Sequence, residues 1–146
     1  MIEIRPNPDV QAGYARLDQI LSDHAEEKGE PFTMTEMCLE AYDGGRFLGG
    51  ISAKLGRQWV FVELLAIAPD ARGRGIGRRL INAIEARALD MAKVGVWLDT
   101  YSFQAPVFYE KLGYIECGRI PDYPLGHDRR FYAKRLDGTQ VIKVHK

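Results

Sequence analysis

The stretch Glu63-Leu-Leu-Ala-Ile-Ala-Pro-Asp-Ala-Arg-Gly-Arg-Gly-Ile-Gly-Arg78 decides how the rest of the chain is read. Its first half ends an apolar run that Pro69 closes, and its second half is a glycine-rich turn that leads into a helical pattern. Gly73, Gly75 and Gly77 permit left-handed backbone and let a ligand approach the amides, while the following helix offers unpaired N–H groups and the positive end of its dipole. Arg72, Arg74, Arg78 and Arg79 crowd the same turn. Guanidinium groups pair bidentately with phosphate oxygens, so backbone and charge point to one kind of ligand, an anion with phosphate groups. Cations are mildly unfavourable at a helix N-terminus, and four of them make sense there if an anion arrives. Two common phosphate devices do not fit. A GxxxxGK[ST] loop needs a Lys-Ser or Lys-Thr that is absent, and a GxGxxG fingerprint needs glycine where Arg78 stands.

The whole chain bounds the reading. At 146 residues it suits a single domain over 1–146, with a core over about 2–136 and residues 137–146 as a tail or an extra strand. With 46% hydrophobic residues, 27% charged residues and zero formal net charge, the composition is globular, which argues against a nucleic-acid partner. Cys38 and Cys117 fit no metal or CxxC spacing, and His24, His127 and His145 form no ligand cluster, so no metal is expected. The mixed Met1–Asp9 segment is unlike a signal peptide, and no apolar run approaches the ~18 residues of a membrane helix. A soluble cytoplasmic protein without a membrane partner is the expectation, with a homodimer left open.

Taken in order, Ile2-Glu-Ile-Arg5 alternates like a short first strand before Pro6, and Asp9 suits the N-cap of a helix over Val10–Lys28. Glu36–Asp43 and Arg46–Leu55 form a hairpin around Gly44-Gly45, and Trp59–Ala68 is the nearly continuous apolar run of a central strand. Beyond the glycine turn, Ile76, Leu80, Ile81, Ile84, Ala88 and Met91 mark one face of a helix ending near Gly95, and Val94–Thr100 is the next strand. Strand, helix, strand within about thirty residues implies a right-handed crossover and a parallel neighbour. Gln104–Leu112 reads as a further helix stopped by Gly113, and Tyr114–Gly118 and Arg129–Leu136 as the last strands, with a turn-rich loop between. Asp137-Gly138 could begin a hairpin into Val141–Val144, or the end frays. The fold class is α+β (α/β in the broad sense), a mixed sheet with helices on both faces.

Arg72-Gly-Arg-Gly-Ile-Gly77, together with Leu65-Ala-Ile-Ala-Pro69 before it and Ala105-Pro-Val-Phe-Tyr-Glu-Lys-Leu-Gly-Tyr114 after it, resembles the GNAT superfamily of acetyl-CoA-dependent N-acetyltransferases. Phe103–Tyr114 and Asp122–His127 resemble a bacterial subgroup of that family whose substrate is unnamed. The resemblance implies a mostly antiparallel sheet of six to seven strands whose fourth and fifth members splay apart, with the pantetheine arm of coenzyme A in the gap. Leu65, Ala66, Ile67 and Ala68 would then bond the arm through free backbone groups, and one unpaired amide would serve the thioester oxygen. The amides of Arg72, Gly73, Arg74, Gly75, Ile76, Gly77 and Arg78 would hold the diphosphate, with Ser102 and Phe108 as further cofactor contacts. Ser102 stands where members of the family often carry asparagine.

Acetyl transfer to an amine requires a held thioester, a stabilised oxyanion and moved protons, and no metal. By the resemblance, Tyr109 would donate to the departing thiolate, besides contacting the cofactor, and Glu63 would take the proton of the attacking amine. On the residues alone, Glu63 sits among Val62, Leu64 and Leu65, where burial would raise a carboxylate pKa. Asp99 and His127 are alternative bases. Trp59, Tyr101 and Tyr123 either wall an acceptor pocket or simply pack. The function expected is direct acetyl transfer through a tetrahedral intermediate to the primary amine of a small molecule. The alternative is a catalytically weak acyl-CoA-binding sensor or partner module.

Overall fold

Runs of alternating apolar residues build the sheet on which the site is hung. The structure, a computed structural model, describes residues 1–141 and divides into two units, Met1–Thr33 and Met34–Lys146. In the first unit, α1 (Val10–Glu27) starts where the Asp9 carboxylate accepts a hydrogen bond of 3.0 Å from the Ala12 amide, which satisfies one of the helix's orphan donors. Its chain reverses at Gly29, φ +74°. The strand expected over Ile2–Arg5 does not form. Four residues followed by Pro6 and Pro8 provide too few ladder bonds to hold one.

The second unit holds β1 (Thr35–Asp43), β2 (Arg46–Leu55), β3 (Trp59–Ile67), α2 (Ile76–Asp90), β4 (Gly95–Tyr101), α3 (Pro106–Lys111), β5 (Ile115–Pro121) and β6 (Asp128–Arg135). They form one sheet in the order β1-β2-β3-β4-β6-β5. Only β3 and β4 run parallel, joined across α2, and the other pairs are antiparallel. This is the mixed, mostly antiparallel α+β fold expected, with six strands. The proposed hairpin into Val141–Val144 lies largely outside the described residues.

Burial follows the pattern. Ile51, Ala53 and Leu55 on β2, Val60 and Val62 on β3, and Val96 and Leu98 on β4 face Leu80, Ile81, Ile84 and Ala88 of α2 in one core. Each buried Val, Leu or Ile among them contributes roughly 1.5–3 kcal/mol. Met91, expected on that face, instead caps the helix and is exposed. The stop also lies earlier than Gly95, because Ala92 takes the left-handed conformation (φ +56°). Gly95 is the first residue of β4, and a Cβ there would lie 2.5 Å from the Lys134 carbonyl oxygen and 2.6 Å from the Trp59 ring.

The consequence for function lies in where pairing ends. β3 and β4 are paired only from Trp59↔Gly95 to Val62↔Leu98, whereas β4 stays paired with β6 as far as Tyr101↔Arg129. On β2, Ser52 pairs with Leu64 and Ala53 with Val62, so Glu63 is an unpaired bulge residue at the point where β3 leaves β4. Phe61 and Trp97 stack one pair before the opening, with centroids 4.2 Å apart.

Gly95→Ala should destabilise the fold by about 2 kcal/mol, as overpacking against backbone and an indole ring does. Urea denaturation checks this, and an unchanged midpoint would show that β4 can shift to make room.

Candidate active site

The free edge of β3 is the first component. The Ala68 amide donates to the Leu48 carbonyl at 2.8 Å, so Ala68 turns its backbone toward β2. Antiparallel pairing alternates, and Ala66 and Leu64 therefore point the same way, leaving the backbone groups of Leu65 and Ile67 facing the gap. Those two residues also line a cavity of about 510 Å³ that continues along Ala71, Arg72, Gly73, Gly75, Ile76, Gly77 and Arg78 to Phe108 and Tyr109. Of the four residues from Leu65 to Ala68 expected to serve a ligand, Leu65 and Ile67 line this cavity. Ala66 and Ala68 lie outside the lining.

The glycine turn is the second component. Gly73 (φ +77°) and Gly75 (φ +74°) take the left-handed backbone that other residues adopt at a cost of about 1–2 kcal/mol, and the space beside each is open. Gly75 is the N-cap of α2, so the first amides of a 15-residue helix face the cavity. Gly77 serves close packing instead, since a Cβ there would lie 3.2 Å from the Phe108 ring. That contact draws α3 against α2 and closes one side of the cavity.

The arginines divide. Arg72 and Arg78 line the cavity, and with Arg79 they have no carboxylate partner among the described residues. Arg74 is spent on Asp43 at 3.2 Å, and Arg46 pairs with Asp70 beside it, which ties the β1–β2 turn to the glycine loop. Both pairs are exposed and are worth at most about 1 kcal/mol each.

Tyr109 is 8% exposed, packed edge-on against Phe108 and Tyr114, with Tyr132 beyond. Burial first, and the Asp99 charge second, push its pKa up to about 12. Its hydroxyl has no hydrogen-bond partner among the described residues. Tyr114, by contrast, donates to Glu85 at 2.9 Å, and Tyr132 to Glu110 at 3.0 Å. Those two tyrosines are structural by their bonds.

Glu63 departs from expectation. Its side chain is 43% exposed and sits 3.5 Å from Lys54. The burial expected from its apolar neighbours is missing, because the bulge turns Leu64 outward as well. It lines a second pocket of about 300 Å³ with Glu36, Met37, Cys38, Ser52 and Ala53. Ser52 and Lys54 alternate with the buried Ile51, Ala53 and Leu55, so this pocket opens on the sheet face away from α2. Glu63 and Tyr109 thus line different pockets, on opposite faces of the sheet at the splay.

Ser102 is not in the cleft. Its hydroxyl accepts from the Asp128 amide at 3.0 Å and lies 3.4 Å from His127 Nδ1, so it fastens the ends of the 122–127 loop. His127 stands edge-on to Phe103. Asp99 accepts from Arg129 Nε at 2.9 Å, and Arg129 reaches the Tyr123 hydroxyl at 3.3 Å between the rings of Tyr101, Tyr123 and Phe131. Trp59 packs against Gly95 and Arg135 rather than near the opening. Arg129, the partner of Asp99, went unrecognised in the sequence. Only the antiparallel register of β4 with β6 could have paired residues 30 apart.

Comparison with known proteins places the fold in a family. Residues 35–116 match the family model of the acetyltransferase (GNAT) domain. The chain is 41% identical over 93 residues to blasticidin-S acetyltransferase of Streptomyces morookaense, covering 63% of this chain and 68% of that protein. The crystal structure of an acetyltransferase from Bacillus cereus superposes with a TM-score of 0.81 at 30% identity, over 93% of this chain and 99% of that one. A Bacillus anthracis structure described as a streptothricin acetyltransferase, in complex with acetyl coenzyme A, shares the fold (TM-score 0.63, 20% identity, 69% and 62% coverage). The chain belongs to the GNAT family of acetyltransferases, and it is an acyltransferase. Among the described residues no helix is long and apolar enough to cross a membrane.

Charge reversal should separate the arginines. Arg72→Glu or Arg78→Glu should raise the coenzyme A dissociation constant about 10- to 100-fold, the loss of one charge-assisted contact and more. The effect should shrink at high salt, and Arg74→Glu should cost less. Calorimetric titration at two ionic strengths checks this, and equal effects at all three positions would contradict the division.

Proposed function

We propose that this acetyltransferase moves the acetyl group of acetyl-CoA to the primary amine of a small molecule by direct attack. The observation that carries the reading is the release of β3 from β4 after Val62 and Leu98, beside a cavity that runs from Leu65 and Ile67 to the glycine turn. The residues present fit the cofactor, as open space beside Gly73 and Gly75 and the uncompensated Arg72 and Arg78 suit a diphosphate. Acetyl-CoA supplies an activated thioester.

The chain supplies the rest. Leu65 or Ile67 offers an amide, fixed by the ladder to β2, to the thioester oxygen. A preorganised donor of this kind is worth about 3 kcal/mol in the transition state. Tyr109 donates a proton to the leaving sulfur. Glu63, at the bulge and in contact with solvent, draws in the ammonium form of the acceptor and passes its first proton to water. The curated relative named for blasticidin S supports a small amine as the acceptor class, and zero net charge argues against a nucleic acid.

Tyr109→Phe should lower kcat about 100-fold, within the range of a lost general acid, while leaving the acetyl-CoA dissociation constant unchanged. Because its folded pKa is raised, Tyr109 stays protonated to about pH 11, and the wild-type rate should show no alkaline loss from this group between pH 6 and 10. Thiol release with blasticidin S, streptothricin and a panel of simple amines measures both. A wild type that binds acetyl-CoA and acetylates none of them would instead mark the chain as a binding module.

A further inference from the structure

The tip of the β1–β2 hairpin is fastened to the chain around the glycine turn at three points. The register of β1 with β2 shifts between Ala41↔Gly49 and Tyr42↔Phe47, which leaves Leu48 without a partner on β1. The Leu48 carbonyl accepts from the Ala68 amide at 2.8 Å, where the chain leaves β3 for the glycine turn. Beyond this bulge, Asp43 and Arg46 stand opposite each other as the last pair of the hairpin. Opposite charges in that position commonly serve each other across the strands. Here each also reaches across to the turn: Arg46 pairs with Asp70, and Asp43 with Arg74 at 3.2 Å.

The two crossed pairs hold the turn at its start and in its middle. Asp70 belongs to the single 3-10 turn Pro69–Ala71, and the fully buried Ala71 lines the cavity. Arg74 stands between Gly73 and Gly75, two residues that give the backbone little stiffness of its own. Arg72, Gly73 and Gly75 line the cavity, and Arg74 does not. The middle arginine of the turn is therefore directed at the hairpin and not at the ligand space. A glycine-rich turn that must be ordered on binding costs affinity, and anchors already in place lower that cost.

We infer that Asp43 and Arg46 are positioning residues for coenzyme A, the hairpin tip clamping the glycine turn in the geometry that receives the diphosphate. The inference rests on the reading of that turn as the diphosphate seat, and is independent of the acceptor. It predicts a sign that charge alone would reverse. Removing a carboxylate beside an anion site should tighten binding by Coulomb's law, whereas removing a clamp should weaken it.

Calorimetric titration with coenzyme A tests this without an acceptor. Asp43→Ala and Asp70→Ala should each raise the dissociation constant about 3- to 5-fold, the most that one exposed pair can lend. All four side chains are exposed, so substitution there spares the fold. Asp43→Glu, which keeps the carboxylate, should stay nearer the wild type. In an Arg74→Ala background, Asp43→Ala should add nothing, because the partner through which it acts is already gone. At high salt the constants of Asp43→Ala and the wild type should converge as the pair is screened. An Asp43→Ala protein that binds as tightly as the wild type or more tightly, or that loses the same factor with and without Arg74, overturns the clamp and leaves the diphosphate seat standing. A wild type that binds no coenzyme A overturns the seat and the clamp together.

Discussion

The parting of β3 from β4 is the constraint on which the structure depends. Parallel strands share a ladder only while both follow the same twist, and here the ladder ends at Val62↔Leu98 while each strand keeps its other neighbour. Backbone groups in a sheet interior are otherwise all committed, and an uncommitted edge is normally a liability. Held rigid by β2 on one side, the free edge at Leu65 and Ile67 becomes a fixed row of donors and acceptors. The bulge at Glu63 and the stacked Phe61 and Trp97 mark its start, and the glycine turn marks its end.

The splay also explains why the catalytic candidates sit apart. Tyr109 belongs to the α2 face with the cavity that runs to the glycine turn, and Glu63 lines a pocket on the other face. A reaction between a ligand on each face needs a passage through the sheet, and the gap is one. The charges are arranged to match. Arg72 and Arg78 remain uncompensated beside the helix N-terminus, whereas Arg74, Arg46 and Arg129 are each tied to a carboxylate elsewhere.

Much of this was legible in the sequence because it is local. The Gly44-Gly45 hairpin, the Asp9 cap, the apolar face of α2 and the glycine turn each depend on residues within a few positions of one another. What depended on distant partners was not. Glu63 looked buried by its neighbours, but the bulge, set by register with β2, turns it toward Lys54. Ser102 looked free for a cofactor, but strand β4 delivers it to the amide of Asp128. Gly95 looked like a helix stop, and its absent side chain instead makes room for Trp59 and Lys134. Ile2–Arg5 has strand alternation yet no strand, since a pattern without enough ladder bonds does not make one. Arg129 carries no motif at all and acquires its place from the pairing of β4 with β6.

The central claim is that the free edge of β3 and the turn into α2 form one continuous seat for coenzyme A. Backbone amide shifts of isotope-labelled protein, followed by NMR during titration with coenzyme A, test it most directly. The account predicts the largest shifts at Leu65, Ile67 and Gly73 to Arg78, with Ala66 and Ala68 moving less. Shifts concentrated instead around Glu36, Cys38 and Ser52, or none at saturating ligand, would contradict it.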